Sequence, residues 1–314
     1  MPTTDKIVII CSQEKLIEPW RNALSESAPN ITVEVYPDDT ERENTEFLLA
    51  FRPPENAFEK YPKLKVIASM AAGIKHITKN HNLPENVILT KANDPMHRGD
   101  IAYFVLALTL SYMRRLPVYL QQKEQMLWQP HSYLRPEEIT IGIMGIGSIG
   151  ETVGKLMLKN DFKVTGWSRS EKHIDHIKTF HGNSQRADFL KTADILICTL
   201  PLTNETEGIL NVEVFNKLPQ GAYLINIGRG KELVEDDLLK AIETGQLAGA
   251  ALDVFSEEPL PKNHSFWNNE KIMITPHTAG NIHPESAVKK IVHNYKAMKN
   301  GEELVDVVDI ERGY

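Results

Sequence analysis

The segment Ile139-Thr-Ile-Gly-Ile-Met-Gly145-Ile-Gly147-Ser148-Ile149-Gly150 constrains the fold of this chain more than any other. It runs from an aliphatic, strand-like stretch straight into a GxGxxG turn and then into a helix-like stretch, Glu151 to Lys159. Gly145 permits the tight turn, Gly147 lets the backbone approach a pyrophosphate, and Gly150 lets the helix pack closely on the strand. Ser148 and Ile149 lie within the turn, and the helix N-terminus that follows points amide hydrogens and the positive end of its dipole at the phosphates. Further apolar runs follow at Val164 to Trp167, Ile195 to Leu200, Ala222 to Ile227, Ala248 to Phe255 and Ile272 to Thr275. Strand candidates separated by helical intervals predict a doubly wound sheet that binds a dinucleotide.

The first hundred residues repeat this rhythm, with aliphatic runs at Lys6 to Cys11, Ile31 to Tyr36, Phe47 to Phe51, Leu64 to Met70 and Val87 to Lys91. A chain of 314 residues has room for about two domains. The expected class is therefore α/β, with two Rossmann-like or flavodoxin-like domains, each built on a parallel sheet. From Arg98 to Leu127 the pattern turns helical, with Ile101, Val105, Leu108 and Tyr112 on one stripe, Phe104 and Leu116 widening it, and Pro117 bending or dividing it. A helix this apolar packs either against a second subunit or between two domains of one chain. The last predicted helix, Pro284 to Met298, has proline at its start and Gly301 past its end.

Apolar residues at 41% and charged residues at 25% describe an ordinary globular protein. Lys and Arg number 35 against 42 Asp and Glu, a net charge of -7, which points away from nucleic acid and acidic membranes as partners. Ile7 to Ile10 is too short for the apolar segment of a signal peptide. Ile101 to Leu110 is well short of the ~20 residues that cross a bilayer. A cytoplasmic protein is expected. Cys11 and Cys198 each end an apolar run and read as buried thiols rather than a disulfide. His173, His176 and His181 include an HxxH spacing but have no nearby Cys, so they read as solvated histidines and no metal is expected.

An NAD site of this kind places a carboxylate on the ribose 2′-hydroxyl about 20 residues after the glycine turn. Here the chain reads Gly166-Trp-Ser168-Arg169-Ser170 instead. Ser168 and Ser170 can hydrogen-bond a 2′-phosphate and Arg169 can offer it a charged fork, which favours NADPH while still admitting NADH. The competing reading leaves Arg169 as a solvated surface arginine.

Near the ends of the last three strands stand Asn226-Ile227-Gly-Arg229-Gly230, Asp253-Val-Phe-Ser-Glu-Glu258-Pro-Leu-Pro261 and Thr275-Pro-His277-Thr-Ala-Gly280. In this order, and with the GxGxxG turn, they resemble the Arg, Glu and His triad of the D-isomer-specific 2-hydroxyacid dehydrogenases. The resemblance covers Leu64 to Gly280. Within that family the WSRS segment, Leu127-Trp128-x-Pro130 and the terminal Glu311-Arg-Gly-Tyr314 resemble the bacterial A-type glyoxylate/hydroxypyruvate reductases.

The resemblance implies a discontinuous substrate domain of residues 1–100 and 285–314 around a dinucleotide-binding Rossmann domain of residues 101–284. It also implies cofactor and substrate in the cleft between them, and a homodimer built on the nucleotide domains. Arg229 suits the carboxylate and ketone oxygens of a small 2-oxo acid, and His277 would protonate the ketone oxygen with Glu258 beside the imidazolium. By family analogy Asp253 touches the nicotinamide carboxamide, and Leu200, Pro201 and Ile227 flank the cofactor. The loop Ser69 to His76 stands where the family binds substrate, which gives Met70, Ala72 and Gly73 to the substrate site together with Arg229 and His277. Lys75 replaces the family's aspartate in that loop. Trp128 is either a core residue or one that approaches a partner subunit's active site.

The expected function is NADPH-preferring reduction of glyoxylate to glycolate and of hydroxypyruvate to D-glycerate. Two alternatives stay open: a broader dehydrogenase of larger 2-oxo acids such as phenylpyruvate, and a dinucleotide-sensing interaction protein, because fold alone does not settle function.

Overall fold

The structure, a computed structural model, describes residues 5–78 and 83–309, so the terminal Glu311 to Tyr314 stretch lies outside the described residues. The chain divides into two compact units, Met1–His97 with Ile282–Tyr314, and Arg98–Asn281.

The first unit is built on a parallel sheet of β1 (Lys6–Cys11), β2 (Thr32–Val35), β3 (Phe47–Phe51), β4 (Val66–Ser69) and β5 (Ile88–Thr90), in the order β2-β1-β3-β4-β5. Alternate residues of its central strands enter two separate cores. Ile7, Ile9, Phe47 and Leu49 pack with Trp20 and Leu24 of helix α1 (Glu14–Ser27), whereas Val8, Ile10 and Leu48 pack with Phe58, Tyr61 and Ile77, the last from the short helix α2 (Lys75–Thr78). A strand covered on both faces has no polar side to show, hence its unbroken aliphatic run.

The second unit carries a seven-stranded parallel sheet of β6 (Thr140–Met144), β7 (Lys163–Ser168), β8 (Lys178–His181), β9 (Ile195–Cys198), β10 (Ala222–Asn226), β11 (Leu247–Leu252) and β12 (Ile272–Ile274), ordered β12-β11-β10-β9-β6-β7-β8. The strand missing from the sequence reading is β8, an edge strand in which Phe180 alone is buried. The helices are α3 (Pro95–Met113), α4 (Leu116–Glu124), α5 (Ser148–Lys159), α6 (Gly182–Leu190), α7 (Val212–Phe215) and α8 (Glu235–Glu243).

The apolar helical stretch is divided, as expected, but the break precedes the proline. Arg115 adopts a left-handed φ of 59°, and Pro117 sits in the first turn of α4, where its missing N–H costs nothing. Ile101, Ala102, Val105 and Leu108 of α3 are buried in the core of their own unit, while Tyr103, Leu110, Leu116 and Leu120 are exposed. Trp128 follows α4 and is 98% exposed, so it is not the core residue that its apolarity suggested. No single helix among the described residues is long and apolar enough to cross a membrane; α3 and α4 qualify only as a pair, bent by 60°.

The chain returns to the first unit through α9 (Pro284–Asn300), whose Val288, Ile291, Val292 and Tyr295 join the core that contains Trp20 and Leu24. Gly301 ends it with a left-handed φ of 72°, the usual conformation of a helix C-cap glycine. The Tyr295 hydroxyl accepts the Lys6 backbone N–H at 2.9 Å and donates to Asp5 at 3.1 Å, tying the last helix to the first strand. Tyr295→Phe strands that buried N–H and is expected to lower stability by about 1–3 kcal/mol. Denaturant unfolding checks it: a midpoint equal to that of the wild type would show that the bond contributes nothing.

Candidate active site

The glycine turn is pinned between neighbouring strands. Gly145 has a φ of 108°, which strongly favours a residue without a side chain. Its N–H and that of Ile146 donate to the Trp167 carbonyl at 2.9 and 3.0 Å, and the Thr199 hydroxyl donates to the Gly145 carbonyl at 2.7 Å. A Cβ on Gly150 would press to 2.5 Å from that same carbonyl, so close packing of α5 depends on glycine there. Around Gly147 the nearest atom to a Cβ would be 4.0 Å away, which leaves the mouth of the turn open. Among the described residues the N–H groups of Ser148, Ile149 and Gly150 have no acceptor, as befits a helix N-terminus facing an anion. Arg98, which no motif singled out, donates to the Ser148 hydroxyl and adds a cation beside the turn.

Ser168 ends β7, the strand next to β6, and its hydroxyl donates to the Ser170 carbonyl at 2.7 Å. The Arg169 side chain is 75% exposed and pairs loosely with exposed Glu205 at 3.6 Å. Such surface pairs contribute little, so the guanidinium can exchange its partner for a phosphate. Leu200 and Ile227 are buried, with the Leu200 backbone against Gly145; Pro201 is exposed.

Three neighbouring strand ends then bring Arg229, Glu258 and His277 together. Beyond β10 the Asn226 side chain accepts the Gly228 N–H at 3.1 Å, and Arg229 Nη1 donates to the Gly228 carbonyl at 2.6 Å. A Cβ on Gly230 would overlap the Phe255 carbonyl, so the arginine turn and the segment leading to Glu258 meet backbone to backbone. Glu258 accepts the Phe255 N–H with Oε1 at 3.1 Å, and its Oε2 lies 2.8 Å from His277 Nδ1. Burial pushes the Glu258 carboxyl up, but the His277 and Phe255 hydrogen bonds and the charges of His277 and Arg229 outweigh it, leaving its pKa below the ordinary 4.5.

His277 itself has a φ of 52°, a left-handed conformation unusual for a side-chain-bearing residue. It is held there by Asp253, which is fully buried. Oδ1 accepts the Thr275 hydroxyl at 2.6 Å and the Thr278 N–H at 2.9 Å, and Oδ2 accepts the Ala279 N–H at 2.9 Å. Asp253, expected at the nicotinamide, thus directs its carboxylate at the histidine loop. The aspartate was visible in the sequence, but its three donors depend on the fold of a segment more than twenty residues later.

In the first unit the Ser69 hydroxyl accepts the Ala71 N–H at 3.0 Å and lies 2.8 Å from the Ala71 carbonyl, which folds the 69–73 loop back on itself. Among the described residues the N–H groups of Ala72 and Gly73 have no acceptor. Met70, expected to line a substrate pocket, is 3% exposed. Its N–H still bonds the Ala50 carbonyl next to the sheet, so its side chain enters the core with Ile291 instead. His173 and His176 are exposed and His181 half-buried; Cys198 is fully buried and Cys11 only partly.

Residues 106–279 match the profile of the D-isomer specific 2-hydroxyacid dehydrogenase, NAD binding domain. The chain is 38% identical over 302 residues to glyoxylate/hydroxypyruvate reductase A of Serratia proteamaculans (strain 568), covering 95% of this chain and 96% of that one. Among solved structures it is similar to the D-isomer specific 2-hydroxyacid dehydrogenase of Xanthobacter autotrophicus Py2 in complex with NADPH and MES, with TM-score 0.91, 31% identity and coverage of 99% and 100% of the two chains. The NADPH-dependent glyoxylate/hydroxypyruvate reductase of Sinorhizobium meliloti, in complex with NADP and sulfate, is similar at TM-score 0.90, 29% identity and the same coverage. With a profile spanning more than half its length and a relative aligned over nearly all of it, this chain belongs to the D-isomer specific 2-hydroxyacid dehydrogenase family.

Proposed function

We propose that this protein reduces small 2-oxo acids with NADPH, acting first on glyoxylate and hydroxypyruvate to form glycolate and D-glycerate. The observation that carries the reading is the His277–Glu258 pair at 2.8 Å, with the Arg229 charge acting on the same carboxylate. The names of the relatives, reductases of glyoxylate and hydroxypyruvate, support the substrate class.

The open turn at Gly147 and the amides of Ser148 to Gly150 fit a pyrophosphate, and Ser168, Arg169 and Ser170 fit a 2′-phosphate. When bound, NADPH supplies the hydride that reduces the carbonyl carbon. One Arg229 nitrogen is committed to the Gly228 carbonyl, and the rest of the planar fork suits the substrate's carboxylate and ketone oxygens. His277 is held through Nδ1 by Glu258, so Nε2 is the nitrogen that gives its proton to the ketone oxygen. Its side chain is 47% exposed, which lets solvent restore that proton. Within the first unit, the Ala72 and Gly73 amides suit an anionic group such as a carboxylate. In this reading the first unit is the substrate domain and the second the dinucleotide-binding domain. A homodimer covers the exposed apolar residues Leu116, Leu120, Met126 and Trp128.

Initial rates with NADPH and NADH against glyoxylate, hydroxypyruvate, pyruvate and phenylpyruvate test the proposal. Fast NADPH-dependent turnover of the first two is expected; preference for phenylpyruvate would move the substrate class, and tight dinucleotide binding without turnover would indicate a sensor. His277→Ala should abolish most turnover and spare NADPH affinity, and near-normal turnover would remove His277 as the acid. Arg169→Ala should weaken NADPH about tenfold or more while changing NADH little, as read by cofactor titration. Equal losses would refute the 2′-phosphate role.

Glu258 also ties the site to pH. Because its folded pKa is depressed, it stabilises the fold above the ordinary value of 4.5, and that contribution is lost as pH falls through the folded value. Glu258→Gln should therefore flatten the acid limb of a stability–pH profile; an unchanged limb would show that the carboxylate is not coupled to folding.

A further inference from the structure

Behind Arg229 lies a carboxylate that the proposed chemistry does not use. Glu232 is fully buried, on the short 3-10 turn Gly230–Glu232 that follows the arginine. Its Oε2 accepts the Arg229 backbone N–H at 2.9 Å, and its own N–H donates to the Arg229 carbonyl at 3.2 Å. The same Oε2 accepts the Cys198 thiol at 3.4 Å, from the end of β9. Burial and the nearby Glu232 charge push the Cys198 thiol well up, so it stays a donor. Gly228 makes room for this arrangement, since a Cβ there would collide with Glu232 Oε2.

Arg229 is thus gripped on both sides of its Cα by one residue. Its carbonyl has a second, longer contact from the Asn226 side chain at 3.4 Å, whereas among the described residues its N–H donates to Glu232 alone. A guanidinium must be aimed within a fraction of an ångström to engage a carboxylate and a ketone oxygen at once, and its aim begins at its own backbone. We propose that Glu232 is the positioning residue of Arg229: held by Cys198 and admitted by Gly228, it sets the backbone from which the guanidinium reaches the 2-oxo acid. It acts through Arg229 and does not touch substrate. The inference rests on the reading of Arg229 as the substrate's cation.

The experiment compares Glu232→Ala, Glu232→Gln, Gly228→Ala and Arg229→Ala in steady-state kinetics with glyoxylate and NADPH, alongside NADPH affinity by fluorescence titration. Glu232→Ala should raise KM for glyoxylate about tenfold or more while NADPH affinity stays within about twofold. Glu232→Gln keeps an acceptor oxygen and should recover most of the lost affinity for glyoxylate, which a general loss of packing would not predict. If Glu232→Ala does not yield folded protein, Gly228→Ala carries the test, because it displaces the same carboxylate and should raise KM in the same way. A folded Glu232→Ala or Gly228→Ala enzyme with wild-type KM overturns the proposal. So does a parallel loss of glyoxylate and NADPH affinity that glutamine fails to restore. If Arg229→Ala raises KM and the other variants do not, positioning by Glu232 fails alone; if Arg229→Ala leaves KM unchanged, the reading of Arg229 fails with it.

Discussion

Asp253 joins three parallel strand ends at one point. Its backbone N–H donates to the Asn226 carbonyl at the end of β10, it follows β11 directly, and its carboxylate takes three donors from the loop after β12. The residues that matter to the site stand a few positions beyond each of those ends. A fully buried carboxylate is costly unless its lone pairs are occupied, and here the donors that occupy them hold His277 in a conformation that an unsupported loop would leave. Burial, hydrogen bonding and the strained φ of His277 are therefore parts of one constraint.

A second constraint is the lack of space. The arginine turn and the segment leading to Glu258 touch through their backbones at Gly230 and Phe255, and the glycine turn of α5 is closed by the contact of Gly150 with the Gly145 carbonyl. These contacts fix the backbone from which Arg229 and the segment leading to Glu258 rise. The Glu258 and His277 side chains remain partly exposed, while the backbone around Gly230 and Phe255 is tightly packed. A parallel sheet favours this arrangement because all its strands deliver their carboxyl ends to one edge, where the loops collect.

Much of this was legible in the chain. The aliphatic runs marked five strands of the first sheet and six of the second, since doubly covered strands have no polar alternation to blur them. Spacing alone paired GxGxxG with a strand and a helix, and the order of Arg229, Glu258 and His277 marked the family. What escaped had weak local signals. β8 is short, polar and at an edge; Trp128 looks like core by composition but lies on an exposed segment; Met70 sits beside the substrate-loop residues in sequence yet turns into the core.

By itself, the sequence determined most of the succession of strands and helices, the glycine turn, the family and the placing of Arg229, Glu258 and His277 at successive strand ends, because each depends on local periodicity or on short motifs. Only the tertiary structure decided that Asp253 faces the histidine loop, that Glu232 grips Arg229 from behind, and that Arg98 reaches the first residue of α5. Those contacts join residues brought together by the folding of the sheet and its loops. Hydrogen-bond geometry depends on that packing, and no periodicity along the chain records it.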